Sequence, residues 1–178
     1  MIFVTENNNI NLKLLKQNLY ISSWNPKEVT DFHKSIGNKE TPLVELPGIA
    51  KQLGIGNLFL KDESHRLGLN AFKALGASYA MDKQLKKNPK IKTFCTATDG
   101  NHGRAVAWMA RKLGRKAHIY MPKGTVPARV EAIEKEGAKV LMIDHDYDIA
   151  VKMADARVND GNKMSKNHSW SLIQDTAW

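Results

Sequence analysis

Thr93-Phe94-Cys95-Thr96-Ala97-Thr98-Asp99-Gly100-Asn101-His102-Gly103-Arg104 decides how the rest of the chain is read. Its first five residues carry no charge and are rich in β-formers, as in a short strand buried on both faces. A polar turn with glycines follows. A helix is expected from about His102 to Leu113, stopped by Gly114. Strand, glycine turn and helix in that order begin a βαβ unit. Towards the C terminus the pattern repeats. A strand is expected at 117–121, then a helix capped by Thr125 with Val126, Val130 and Ile133 on one stripe and Gly137 as its stop. A strand at 139–143 precedes a helical stripe of Tyr147, Val151, Ala154 and Val158. Gly161 and the polar run to Asn167 read as a loop, and Ser169-Trp170-Ser171-Leu172-Ile173 as a last strand.

Towards the N terminus, Asn70 reads as the N-cap of a helix reaching about Lys87, with Ala74, Ser78, Met81 and Leu85 on one face. A strand is expected at 57–61. Before it, Leu46, Ile49, Ala50 and Leu53 suit a brief helix ending at Gly54. Pro42 and Pro47 keep 41–47 extended. Asn25-Pro26 opens a short helix, with proline at the first helical position. The first 41 residues are otherwise polar and weakly periodic, and read as an N-terminal arm. Strands alternating with helices over short connections predict an α/β fold, a parallel open sheet flanked by helices. Ligands lie beyond the carboxyl ends of strands in such sheets, which puts 99–102 and Gln174-Asp175 on the ligand side.

The composition excludes several classes. A 42% hydrophobic share in 178 residues is ordinary for a globular chain with a real core. The net charge of +9 is scattered, with its densest groups at 83–92 and 111–116 near helix ends, where cations suit the helix dipole. No nucleic-acid partner is therefore expected. No run of about 18 apolar residues occurs, so no membrane span is expected. The N-terminal residues lack a basic region followed by an apolar one, and Cys95 is the only cysteine. No secretory signal and no internal disulfide follow, which fits a cytoplasmic protein. The histidines and Cys95 are not grouped at metal-ligand spacings.

Lys73 carries the sharpest chemical signal. Ala71, Ala74, Gly76 and Ala77 around it leave room for a flat ring close to the backbone. A cation at a helix N-terminus opposes the dipole, which favours a neutral amine able to bond a carbonyl cofactor. The plainer alternative is a solvated lysine. In the turn at 99–103, glycine permits close approach of a ligand, and Asn101 offers a donor and an acceptor to a phenolic oxygen. The alternative there is a helix-capping turn. His102 reads as a satisfied structural histidine. Asp99 and Asp175 are candidate general bases, against capping or solvation. A P-loop is absent, and Gly54-Ile55-Gly56 lacks the third glycine of a dinucleotide fingerprint.

Lys61-Asp62-Glu63-Ser64, Gly68-Leu69-Asn70-Ala71-Phe72-Lys73, Thr96-Ala97-Thr98-Asp99-Gly100-Asn101-His102-Gly103-Arg104, Ile119-Tyr120-Met121-Pro122-Lys123-Gly124 and Gln174-Asp175-Thr176-Ala177-Trp178 together resemble the diaminopropionate ammonia-lyase family. That family is a branch of the fold-type II pyridoxal-phosphate enzymes, with a tryptophan synthase β-like fold. The dehydratase branch has Gly-Ser-Phe before its lysine and Ser-Gly-Asn-His in its turn; both departures here favour the diaminopropionate branch. The resemblance implies pyridoxal 5'-phosphate bound covalently at Lys73, with Asn101 on the ring hydroxyl and Asn70, Phe72, Gly100 and His102 as further cofactor-binding positions. It implies that Asp99 and Asp175 are the acid–base carboxylates, and that the substrate is a small amino acid, 2,3-diaminopropionate, eliminated to pyruvate and ammonia. It also implies a homodimer. Residues 1–69 would be the arm and the first portion of a large domain, and 70–178 a small domain with the lysine helix. Members of this group run to about twice this length, and no Gly-Val-Gly-Gly-like phosphate loop stands in the chain. Weak or no activity is therefore expected of this chain alone. The alternatives are a non-catalytic remnant or binding module, and a serine or threonine dehydratase-like lyase.

Overall fold

The computed structural model describes residues 2–5, 25–165 and 169–175. The chain divides into two compact units, Met1–Asn70 and Ala71–Trp178.

In the first unit β1 (Ile2–Thr5) is followed by α1 (Pro26–Ser35), β2 (Leu43–Glu45), α2 (Pro47–Leu53) and β3 (Asn57–Lys61). Its sheet is antiparallel, in the order β1-β3-β2, with Phe3 opposite Phe59 and Val44 opposite Leu60. Asn25 caps α1, its Oδ1 accepting from the amides of Lys27 and Glu28. Gly54 ends α2 at φ 66°, a left-handed position that glycine reaches without steric cost. β1 lies inside the stretch read as an arm; four residues are too few to show an alternation. Residues 6–24 of that stretch lie outside the described residues.

A 3₁₀ segment, Glu63–Gly68, closes the unit around Arg66. The Arg66 guanidinium is buried and donates to Glu63 through Nε and Nη2, each at 2.7 Å. It also donates to Asn38 Oδ1, the Lys39 carbonyl and Thr41 Oγ1. A buried charge is tolerated when paired and hydrogen-bonded in this way.

The second unit runs α3 (Lys73–Lys87), β4 (Thr93–Ala97), α4 (Asn101–Lys112), β5 (Lys116–Pro122), α5 (Pro127–Glu134), β6 (Lys139–Ile143), α6 (Tyr147–Ser165) and β7 (Trp170–Leu172). Its four strands are all parallel, in the order β6-β5-β4-β7, and helices flank the sheet. β4 is buried along its whole length, with Cys95 opposite both His118 and Leu172. On one face Ala150, Ala154 and Val158 of α6 pack on Cys95, Ala97, Tyr120 and Ile143. Ile119 alternates to the other face. There a Cβ added to Gly103 of α4 would stand 2.9 Å from Ile119 Cγ2 and 2.3 Å from Thr98 Cγ2, so only glycine lets the helix approach the sheet this closely.

Three expected boundaries change. Asn70 is not the cap of α3. It takes φ 58°, after Gly68 at φ 72° and Leu67 at φ 51°, and the helix starts at Lys73 with no side-chain cap. Asparagine serves left-handed turns as readily as caps, and the turn prevails here. Thr125 does not cap α5. Its Oγ1 donates to the Pro122 carbonyl at 2.8 Å, and Pro127, which has no N–H to satisfy, opens the helix. Gly161 does not stop α6, which continues to Ser165. A Cβ there would meet the Trp170 ring at 2.7 Å, so this glycine answers to packing. Asn162 then clamps Trp170, accepting from its amide at 2.8 Å and donating to its carbonyl at 3.1 Å.

Candidate active site

The neighbouring strands β4 and β7 end on one edge of the parallel sheet, and each leads into an aspartate. Residues of the two loops meet the first residue of α3. The result is a cleft of about 290 Å³ lined by Lys73, Asp99, Gly100, Asn101, His102, Arg129 and Asp175. Six of the eight positions singled out in the sequence thus line one cavity. Phe72 stands beside it with its ring exposed and its centroid 6.0 Å from Lys73 Nζ. Asn70 belongs to the preceding unit and is not among the lining residues.

Lys73 and Asp175 form an ion pair, Nζ donating to Oδ1 across 102 residues of chain. Asp175 is held there by the extension of β7: the Ile173 amide donates to the Cys95 carbonyl at 2.9 Å. His102 is buried, with Nε2 3.0 Å from the Ile173 carbonyl. A carbonyl only accepts, so Nε2 carries the hydrogen of the neutral ring. Burial pushes the imidazole below its usual range, against the pull of the Ile173 carbonyl and Asp175. Nδ1 is then bare, 3.6 Å from Asp175 Oδ1.

The turn itself is organised by Thr98, which is fully buried and accepts from the amides of Gly100 and Gly103 at 3.0 and 3.1 Å. Gly100 is the N-cap residue of α4 and has no side chain, so the Thr98 hydroxyl does the work of one. Arg129, at the start of α5, donates through Nη1 to the Asp99 carbonyl at 3.0 Å. Its Cδ would lie 3.2 Å from a Cβ on Gly100, so glycine makes room for it. Sequence reasoning passed over Arg129. The available signal was its place after β5, whose carboxyl end lies on the same edge. Tyr147 belongs in sequence to the helical stripe of α6. It is half-buried and shares a small pocket with Thr96, Gln174 and Asp175. Burial raises its phenol above the usual range, and the negative Asp175, Asp99 and Asp148 raise it further. Burial pushes the Cys95 thiol up to about 12, which leaves it no thiolate at neutral pH.

A primary amine paired with a half-buried carboxylate, a second carboxylate on the neighbouring strand end and an exposed carboxamide can bond a carbonyl ligand and move protons beside it. These features stand on an α/β scaffold, in a cleft at the carboxyl edge of its parallel sheet. Residues 34–176 match the family described as pyridoxal-phosphate dependent enzyme, and the chain belongs to that family. The chain is 44% identical to the diaminopropionate ammonia-lyase of Salmonella typhimurium over 173 residues, which is 85% of this chain and 41% of that protein. It is 39% identical to the diaminopropionate ammonia-lyase of Escherichia coli K12 over 170 residues, with the same two shares. The crystal structure of the Escherichia coli enzyme in apo form superposes with a TM-score of 0.76 at 40% identity, covering 85% of this chain and 45% of that one. The same enzyme in complex with an aminoacrylate-PLP azomethine reaction intermediate superposes with 0.76 at 36% identity, covering 100% and 47%. The chain thus spans about two fifths of the length of these curated relatives.

Proposed function

We propose that this chain carries the lysine-bearing part of a lyase that eliminates ammonia from 2,3-diaminopropionate, leaving pyruvate. One observation supports the reading above the others: Lys73 and Asp175 meet at the mouth of a parallel sheet, in the cleft that also holds Asp99 and Asn101. In this reading residues 70–178 are the small domain of the enzyme and 1–69 the first portion of its large domain. The setting is cytoplasmic and the assembly a homodimer.

The donor set fits pyridoxal 5'-phosphate. Lys73 offers the amine for its aldehyde and Asn101 a carboxamide for its phenolic oxygen, while Gly100 makes room for the Arg129 side chain that lines the same cleft. Phe72 and Asn70, ahead of the lysine, stay candidates for further contacts. When bound, the cofactor supplies an electron-accepting ring for the electron pair left on the substrate α-carbon. The chain's own residues handle the protons. Asp175 and Asp99 leave different strand ends, and each takes the α-proton from one face, which admits both enantiomers. Arg129 fixes the backbone of Asp99. His102 and Thr98 hold the turn.

The test is turnover by the full-length protein containing this chain, with pyridoxal phosphate, followed as pyruvate released. Diaminopropionate is expected to be consumed in preference to serine and threonine. A preference for threonine or serine would replace this reading with a dehydratase. No pyruvate from any of the three would leave a non-catalytic protein.

A further inference from the structure

Asp175 has two neighbours with opposite demands. Lys73 Nζ donates to it. His102 Nδ1 faces it as a bare lone pair, because the other ring nitrogen is committed to the Ile173 carbonyl. The 3.6 Å between Nδ1 and Oδ1 is about half an ångström beyond an ordinary hydrogen bond, the spacing expected of two acceptors with no hydrogen between them. A proton on Asp175 would change the sign of that contact: O–H would donate to Nδ1, and the gap would close.

We propose that His102 is a positioning residue that lets Asp175 hold the proton of Lys73. The transfer breaks an Nζ–H bond of the ammonium and forms an O–H bond on the carboxylate. The nitrogen keeps the electron pair and becomes a nucleophilic amine. Two opposite charges vanish together, so the half-buried cleft is left with a neutral amine, a neutral acid and a neutral imidazole. Without an acceptor at Nδ1 the new O–H would stay bonded to the amine and occupy the lone pair that must attack; with one, the O–H turns to Nδ1 and leaves that lone pair free. The other ionisable groups facing this trio are Asp99 on the β4–α4 turn, Arg129 on α5 and Tyr147 on α6. The buried ring cannot turn to present N–H at Nδ1 without breaking its bond to Ile173.

The tautomer and the proton transfer stand on these contacts alone; only their use in catalysis rests on the lyase reading. The test uses the 178-residue chain labelled with nitrogen-15 in histidine. At pH 7 the long-range nitrogen–proton spectrum of His102 is expected to show hydrogen on Nε2 and none on Nδ1. His102→Gln keeps a donor for the Ile173 carbonyl but removes the acceptor; His102→Asn keeps an acceptor near the Nδ1 position. Excess pyridoxal phosphate is the probe, with its adduct at Lys73 trapped by borohydride and counted by peptide mass spectrometry. The Gln variant is expected to react about tenfold more slowly than the unmodified chain at pH 7, and the Asn variant within about threefold of it. Hydrogen on Nδ1 at pH 7, or equal rates in the two variants, overturns the proposal. The nitrogen spectrum needs no variant, so it decides the matter even where a variant fails to fold. A full-length enzyme that ignores diaminopropionate would sink the substrate and leave this inference standing.

Discussion

Arg66 and Lys73 lie seven residues apart in sequence and in different units, and each faces a carboxylate. Arg66 is saturated, with all three guanidinium nitrogens bonded to five acceptor contacts. Lys73 has one carboxylate partner, an aromatic ring and an open cleft. A cation whose every hydrogen is committed can only hold structure together. A cation with spare capacity, on a residue able to lose its proton, is free to do chemistry. The type of residue follows the division: arginine stays charged and lysine can be neutralised.

The largest expected effect is an all-or-none one. Lys73→Ala should abolish the borohydride-trappable adduct in the cleft, read by peptide mass spectrometry, while unfolding in urea shifts by no more than about 1 kcal/mol for a part-exposed pair. A large loss of stability would break the contrast. Arg66→Ala should do the reverse. It strands the Glu63 carboxylate beside Thr41 and should cost about 3–5 kcal/mol in the same urea experiment. A cost below about 1 kcal/mol would show that the knot is replaceable.

Acid should separate the two regions next. Hydrogen bonding to Arg66 holds the Glu63 carboxyl below its ordinary 4.5, against the opposing effect of burial. The folded value is depressed, so this contribution is present above 4.5 and is lost as pH falls through the folded value. His102 is also depressed, by burial, but it is a base. The unfolded chain therefore gains its proton first, and stability declines as pH drops below 6.5 towards the folded value. Urea midpoints measured from pH 7 to pH 3 should show Glu63→Gln flattening the lower part of the profile and His102→Gln the upper part. The smallest effect belongs to Phe72. The residue is 55% exposed and its ring centroid is 6.0 Å from Lys73 Nζ, so Phe72→Ala should change stability by about 0.5 kcal/mol or less.

The parallel sheet was legible because its strands are short apolar runs fenced by glycine and polar turns; β4 and β6 fall where the pattern put them, as does β3 of the antiparallel sheet. What the pattern could not carry was the purpose of particular small or polar residues. Gly161 reads as a stop and is a packing space for Trp170; Asn70 reads as a cap and is a left-handed turn. Each residue suits two local structures, and distant partners choose between them. β1 was invisible because four residues show no period. In the candidate site, Lys73, Asp99, Asn101 and Asp175 stood out as unusual residue types at strand ends and helix starts. Arg129 and Tyr147 did not, since an arginine or tyrosine on an amphipathic helix is ordinary until the fold sets it against the turn.

The clamp on Trp170 has a mechanical consequence. Asp175 lies five residues beyond that anchor and three beyond the end of β7, an edge strand of only three residues. The Asn162 bonds, the flat face of Gly161 and the Arg157 guanidinium 4.9 Å over the indole act as the zero mark of a ruler, and the backbone from 170 to 175 is its scale. Deleting one residue between the two would shorten that scale by about 3.5 Å and draw the carboxylate away from Lys73. The calibration of the acid is thus kept on the far end of α6, remote from any ligand.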